Sequence, residues 1–171
     1  MTKPSNTMEP FLKSALAPAA AAAEEILRYY RGDFAVELKA DQSPVTIADR
    51  RAVEIIKDRL LTDYPDHGFF GEESGKQQAG AEFLWLVDPI DGTKSFVGGY
   101  GMFSTQIALM HRGELVLGVS SAPAAAEVAW AARGTGARID GVKVHVSDKS
   151  SLAEATVSTG NLQTLARSPQ W

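Results

Sequence analysis

Apolar residues recur at helical spacing between positions 8 and 31, where Phe11, Leu12, Leu16, Ile26 and Leu27 predict one stripe around an alanine-rich middle. Pro18 falls inside that stretch and predicts a kink or the start of a second helix, because proline has no N–H for the helical ladder. FAVELKA, residues 34–40, alternates as a strand, and ADQSPV reads as a turn. TIADRRAVEIIKDRLLTDY, residues 46–64, is an amphipathic helix with Val53, Ile56, Leu60 and Leu61 inward.

Strand patterns then take over. HGFFGEESG predicts a short strand running into a loop, and FLWLVD, residues 83–88, a buried strand that ends at Asp88 because Pro89 removes the next ladder donor. FSTQIALMHRGELVLGVSSAP predicts a hairpin turning at Arg112-Gly113, and EVAWAARGTGARIDGVKVHVS further short strands with glycine turns. A polar stretch over 147–153 interrupts the pattern before ATVSTG starts a fresh strand and NLQTLA a helix. Helices followed by a run of strands predict an α+β domain over 1–147, with helices packed on a largely antiparallel sheet. Residues 148–171 read as the beginning of a second α/β domain, truncated at a lone strand and helix that cannot bury their own faces.

Composition narrows the chemistry. The hydrophobic share of 44% and charged share of 22% are ordinary for a globular chain, and the net charge of −4 offers no basic field for a nucleic acid polymer or a membrane surface. There is no cysteine, which excludes disulfides, thiolate zinc sites and cysteine nucleophiles. No run of about 18 apolar residues predicts a transmembrane helix, and Pro18 breaks the alanine run that could pass for a signal peptide. A cytoplasmic location is expected.

Carboxylates carry the candidate chemistry. Asp88 closes a strand, and Asp91, three residues on, can face the same way by helical spacing. Gly92 allows close backbone approach, and Thr93 with Lys94 opens a helical turn whose N–H groups suit a phosphate. Glu72 and Glu73, bracketed by Gly71 and Gly75, can add oxygen ligands. Hard oxygen donors with few histidines favour magnesium or manganese over zinc. Each feature also has a plain reading: DPIDG is a good turn, GEESG an acidic loop, and Asp49 a complement to a helix dipole. An EF-hand loop fails on its ligand positions, and the Asp-x-Asp-Gly-Thr of haloacid dehalogenase-type phosphatases has one residue between its aspartates where Pro89 and Ile90 stand here.

Taken together, WLVDPIDGTKSF, GEES with its Glu72 sixteen residues before Asp88, and SPVTIAD upstream resemble the inositol monophosphatase family of magnesium-dependent phosphatases. SFVGGYGMFSTQIALMHRGELVLGVSSAP resembles the bacterial histidinol-phosphate phosphatase branch more than the inositol branch. The resemblance implies an αβαβα layered sandwich. It also implies two or three magnesium ions, replaceable by manganese, held by Glu72, Asp88, Asp91 and the carbonyl of Ile90, with Glu73 at an outer site. Thr93 paired with Asp49 would orient the attacking water, with Glu72 also among the catalytic residues. Gly92 and Thr93 would receive the phosphate, Lys39 would lie near a closing loop, and Thr159 and Gly160 would touch substrate, although Ser158 or Thr159 equally suits a helix cap.

The implied reaction is hydrolysis of a small phosphate monoester, histidinol phosphate first, with inositol-1-phosphate or a related sugar or nucleotide phosphate as the alternative. A homodimer is expected. One departure stands out: the family's further aspartate, in a Trp-Asp-x-Ala-like motif, has no counterpart, since Glu154 is the only acid after Asp148. That keeps open a reading as an inactive metal-binding remnant.

Overall fold

In a computed structural model, residues 8–38, 44–158 and 166–167 are described. Helix α1 spans Glu9–Tyr29 and α2 spans Ile47–Asp63, with a small antiparallel pair, β1 (Val36–Leu38) and β2 (Pro44–Thr46), between them. The main sheet contains β3 (Gly68–Gly71), β4 (Gly75–Gln77), β5 (Phe83–Asp91), β6 (Ser104–His111), β7 (Glu114–Ala122), β8 (Glu127–Ala132), β9 (Gly136–Ile139) and β10 (Val142–Val144). Helix α3, Thr93–Val97, is a single turn between β5 and β6. The spatial order is β10-β9-β8-β7-β6-β5-β3-β4, antiparallel throughout except where β3 runs parallel to β5.

Both long helices lie on one face of the sheet. Alanine, the best helix former, also sets the closeness of that packing: Ala15, Ala19 and Ala22 of α1 and Ala48 and Ala52 of α2 are fully or almost fully buried, beside Ile26, Ile56 and Leu60. Under them lie Phe69, Trp85, Ile107 and Leu109 from alternate strand positions. The stripe expected on α1 is corrected at Leu27, which is exposed, while Leu12 and Ile26 are buried as expected. The chain continues as one helix past the buried Pro18 rather than starting a second there. Helix α2 starts with a capping box, in which Thr46 accepts from the amides of Ala48 and Asp49 while Asp49 accepts from Thr46 N–H.

The hairpin is as expected. Arg112 and Gly113 both take positive φ, 52° and 84°, the two-residue turn whose twist matches the flanking strands. Other expectations are revised. Pro44 and Val45 belong to β2 rather than a turn. Strand β5 does not stop at Asp88 but continues to Asp91 through a register shift against β6. Residues 155–158 are exposed and join no strand. Residues 161–165, where a helix was expected, lie outside the described residues.

The sheet face opposite the helices is a shallow apolar groove of about 690 Å³, floored by Phe70, Leu86, Trp130, Ile139 and Val144. Glu72 and Asp88 stand at its border.

Candidate active site

The parallel pairing of β3 and β5 puts the ends of both strands at the same place. Gly71 pairs with Val87, and the amide of Glu72 donates to the carbonyl of Val87 at 3.0 Å, so Glu72 leaves the sheet beside Asp88. The two carboxyl groups are in hydrogen-bond contact. Burial, then the charge of Glu72 and that contact, then the charge of Asp91, push the Asp88 carboxyl up to about 7, while the Ile90 amide works in the opposite direction. Burial and like charge together thus disfavour the charged form of Asp88.

Asp91 reaches this position by a route other than helical spacing. Asp88 pairs with Gln106 and Asp91 with Ser104, so Pro89 and Ile90 together face the single residue Thr105. This is a β-bulge, and its extra residue turns the strand so that both aspartates serve one region. Pro89 has no N–H to give the ladder; its carbonyl accepts instead from the Thr105 hydroxyl at 2.8 Å. The amide of Ile90 donates to Asp88 Oδ1 at 3.1 Å.

Beyond the bulge the chain reverses at Gly92, with φ of 93°. A Cβ there would stand 2.7 Å from the Met102 carbonyl oxygen, so only glycine fits. Thr93 then opens α3. Its hydroxyl donates to the Ile90 carbonyl at 2.9 Å, with Asp49 Oδ1 at 3.5 Å. Asp49 is buried, and its Oδ2 accepts from both the amide and the hydroxyl of Thr46, at 2.7 and 2.6 Å. The helix-start role read for Asp49 and its approach to Thr93 therefore coexist on different oxygens.

Glu73 is half-buried and adds to the negative surroundings of Arg50, which forms an ion pair with Glu37. Lys39, Thr159 and Gly160 lie outside the described residues. Among the described residues no three His, Asp or Glu side chains are drawn together as a ready cation cage; Glu72 and Asp88 touch, and Asp91 acts on Asp88 through its charge. Three supporting residues escaped the sequence reading: Thr46, Thr105 and Arg50. Thr46 carried a signal, being a threonine three residues before an acid at a helix start. Thr105 carried none, since its role depends on a bulge that only strand pairing reveals.

Comparison with known proteins places this arrangement. The model of the inositol monophosphatase family matches residues 7–168. A histidinol-phosphatase of Chlorobaculum parvum is 41% identical over 153 residues, 89% of this chain and 58% of that protein. A fructose-1,6-bisphosphatase/inositol-1-monophosphatase of Aquifex aeolicus is 34% identical over 73% of this chain and 47% of its own length. The crystal structure of the extragenic suppressor protein suhB from Bartonella henselae superposes with a TM-score of 0.78 at 32% identity, covering 82% of this chain and 55% of that one. The chain thus spans about half the length of the curated relatives it matches.

Proposed function

This chain belongs to the inositol monophosphatase family, and we propose that it serves the magnesium-dependent hydrolysis of a small phosphate monoester, histidinol phosphate before others. The observation that carries the reading is the parallel β3–β5 ladder, which brings Glu72 out of the sheet beside Asp88, with Asp91 just across the bulge. Crowded carboxyl groups disfavour one another's charge, and a hard divalent cation answers that crowding and accepts the same oxygen donors. The donor set therefore fits magnesium or manganese. Glu72, Asp88, Asp91 and the Ile90 carbonyl would hold it, with Glu73 at an outer position. Such an ion, when bound, supplies Lewis-acid stabilisation of phosphoryl charge and activation of water.

The chain's own residues do the rest. Thr46 occupies Oδ2 of Asp49 and leaves Oδ1 toward the Thr93 hydroxyl. A water that donates to Thr93 Oγ1 would have that hydroxyl turn its hydrogen from the Ile90 carbonyl to Asp49 Oδ1. As the water attacks, its proton passes to Thr93 Oγ1 and the Thr93 proton to the Asp49 carboxylate. Gly92 and Thr93 present backbone at the open end of the bulge, where the phosphate would be received. Lys39, Thr159 and Gly160 complete the proposed substrate set. The preference for histidinol phosphate is supported by the Chlorobaculum relative, and the alternatives by the Aquifex one.

The test is magnesium-dependent phosphate release from histidinol phosphate, inositol-1-phosphate and fructose-1,6-bisphosphate, run beside a magnesium titration of thermal stability. A magnesium-dependent rise in Tm and a kcat/KM for histidinol phosphate about tenfold above the other two are expected. Preference for either rival replaces the substrate, and neither release nor a Tm response overturns the proposal.

A further inference from the structure

Thr105 is fully buried at the middle of the sheet, yet its hydroxyl is spent on a proline carbonyl. Its place explains why. It is the one residue of β6 that faces the two-residue bulge, Pro89 and Ile90, between Asp88 and Asp91. The peptide unit joining Pro89 to Ile90 is held at both ends: its oxygen by Thr105 Oγ1 at 2.8 Å, its N–H by Asp88 Oδ1 at 3.1 Å. A hydrogen bond at one end of an amide polarises the other, so the two support each other. The next carbonyl, that of Ile90, accepts from Thr93. One buried hydroxyl thus begins a chain that ends on the Asp88 carboxyl group, with the neighbouring peptide held separately by Thr93.

We propose that Thr105 is a positioning residue for the acidic site, fixing the plane of the Pro89–Ile90 peptide and through it the orientation of Asp88. Its functional meaning rests on the metal-site reading above, but the clamp itself does not. Without the hydroxyl, the buried Pro89 carbonyl loses its side-chain donor from β6, at the point where the register shifts at the bulge. The peptide is then free to rotate, and the Ile90 N–H no longer selects one rotamer of Asp88. Gln106, the next residue, acts elsewhere: its amide donates to Ser104 and Ser120.

Thr105→Val keeps the shape and removes the hydroxyl, and Thr105→Ser restores it. Two readouts are taken on the full chain: amide hydrogen exchange at Ile90 without metal, with Ile107 of the same sheet as reference, and magnesium affinity by titration calorimetry. In Thr105→Val the Ile90 amide should exchange about tenfold faster relative to Ile107, and magnesium affinity should fall by about 10–100-fold, the range for groups that orient metal ligands. Thr105→Ser should recover most of both. Equal Ile90-to-Ile107 ratios in the wild type and Thr105→Val overturn the proposal, since a merely structural role loosens both amides together. A serine variant that behaves as valine overturns it too. Should the wild-type chain bind no magnesium while the Ile90 difference is present, the clamp stands and the metal reading falls.

Discussion

Asp88 concentrates the opposing demands on this molecule. Its carboxyl is half-buried against Glu72 and within the field of Asp91, and all three influences disfavour its charged form. Such crowding lowers stability when no cation is present and favours a cation when one is. Asp88→Asn separates the two effects, because an amide can still donate to Glu72 without bringing a charge. The variant should be more stable than the wild type in metal-free buffer at neutral pH. A gain of about 1 kcal/mol corresponds to a Tm higher by about 2–4 °C for a chain of this size. It should at the same time lose the magnesium-dependent rise in Tm. A variant that melts below the wild type without metal would show that Asp88 is held by favourable contacts rather than crowded.

Among the elements, the joint between the helices and the ends of the central strands β5 and β6 is an aromatic column. Tyr64, His67, Phe83 and His111 stack in that order with ring centroids 4.7, 4.8 and 4.3 Å apart, and Phe11 of α1 lies against the first three rings. His67 Nδ1 is buried there without a hydrogen-bond partner. Burial holds the His67 pKa below its ordinary value, with Asp66 opposing weakly. The folded chain thus prefers neutral His67. As pH falls through about 6.5 the unfolded chain binds the proton first, and stability is lost until the folded ring also charges. Asp88 has the opposite sign, since its raised pKa adds stability as pH falls. Comparing His67→Phe with the wild type cancels that term. The variant should lose less stability than the wild type between about pH 7.5 and 5.5; an identical acid loss would remove His67 from the account.

The same elements show what pattern alone could convey. Helix α2 and the β6–β7 hairpin were legible because each satisfies its own rule locally: a 3.6-residue period of apolar positions, and a period of two on both sides of Arg112-Gly113. The acidic residues were legible as a group by their resemblance to a family. How Asp88 and Asp91 come to share a region was not, because Pro89 reads as a strand end when the partner strand is unseen. Thr105, sixteen residues from Pro89, supplies the hydrogen bond that lets β5 continue. The core of α1 was read in part: Phe11, Leu12, Leu16 and Ile26 pack as expected, while the buried Ala15, Ala19 and Ala22 were missed. Alanines carry little hydrophobic signal, yet they are what lets that helix lie close to α2.

At the scale of the whole molecule, the boundary expected near residue 147 is open to a direct test. Described core residues run from Met8 to Ala132, and the last strand ends at Val144. From His145 to Ser158 every residue is exposed, including Val146, Leu152 and Val157, and the only regular structure is the short turn Leu152–Glu154. A segment that buries nothing contributes little to folding free energy, and its backbone is open to a protease. Trypsin should therefore cut first at Lys149, before the lysines and arginines of the sheet and helices. The fragment lacking residues beyond 149 should keep the circular dichroism of the parent and melt within about 2 °C of it, since surface changes away from the core shift stability by about 0.5 kcal/mol or less. It should also retain any magnesium-dependent rise in Tm, because Glu72, Asp88 and Asp91 are all positioned by β3, β5 and β6. A fall in Tm of several degrees on cleavage would mean that the chain beyond Val144 supports the sheet. The proposed division at residue 147 would then be wrong.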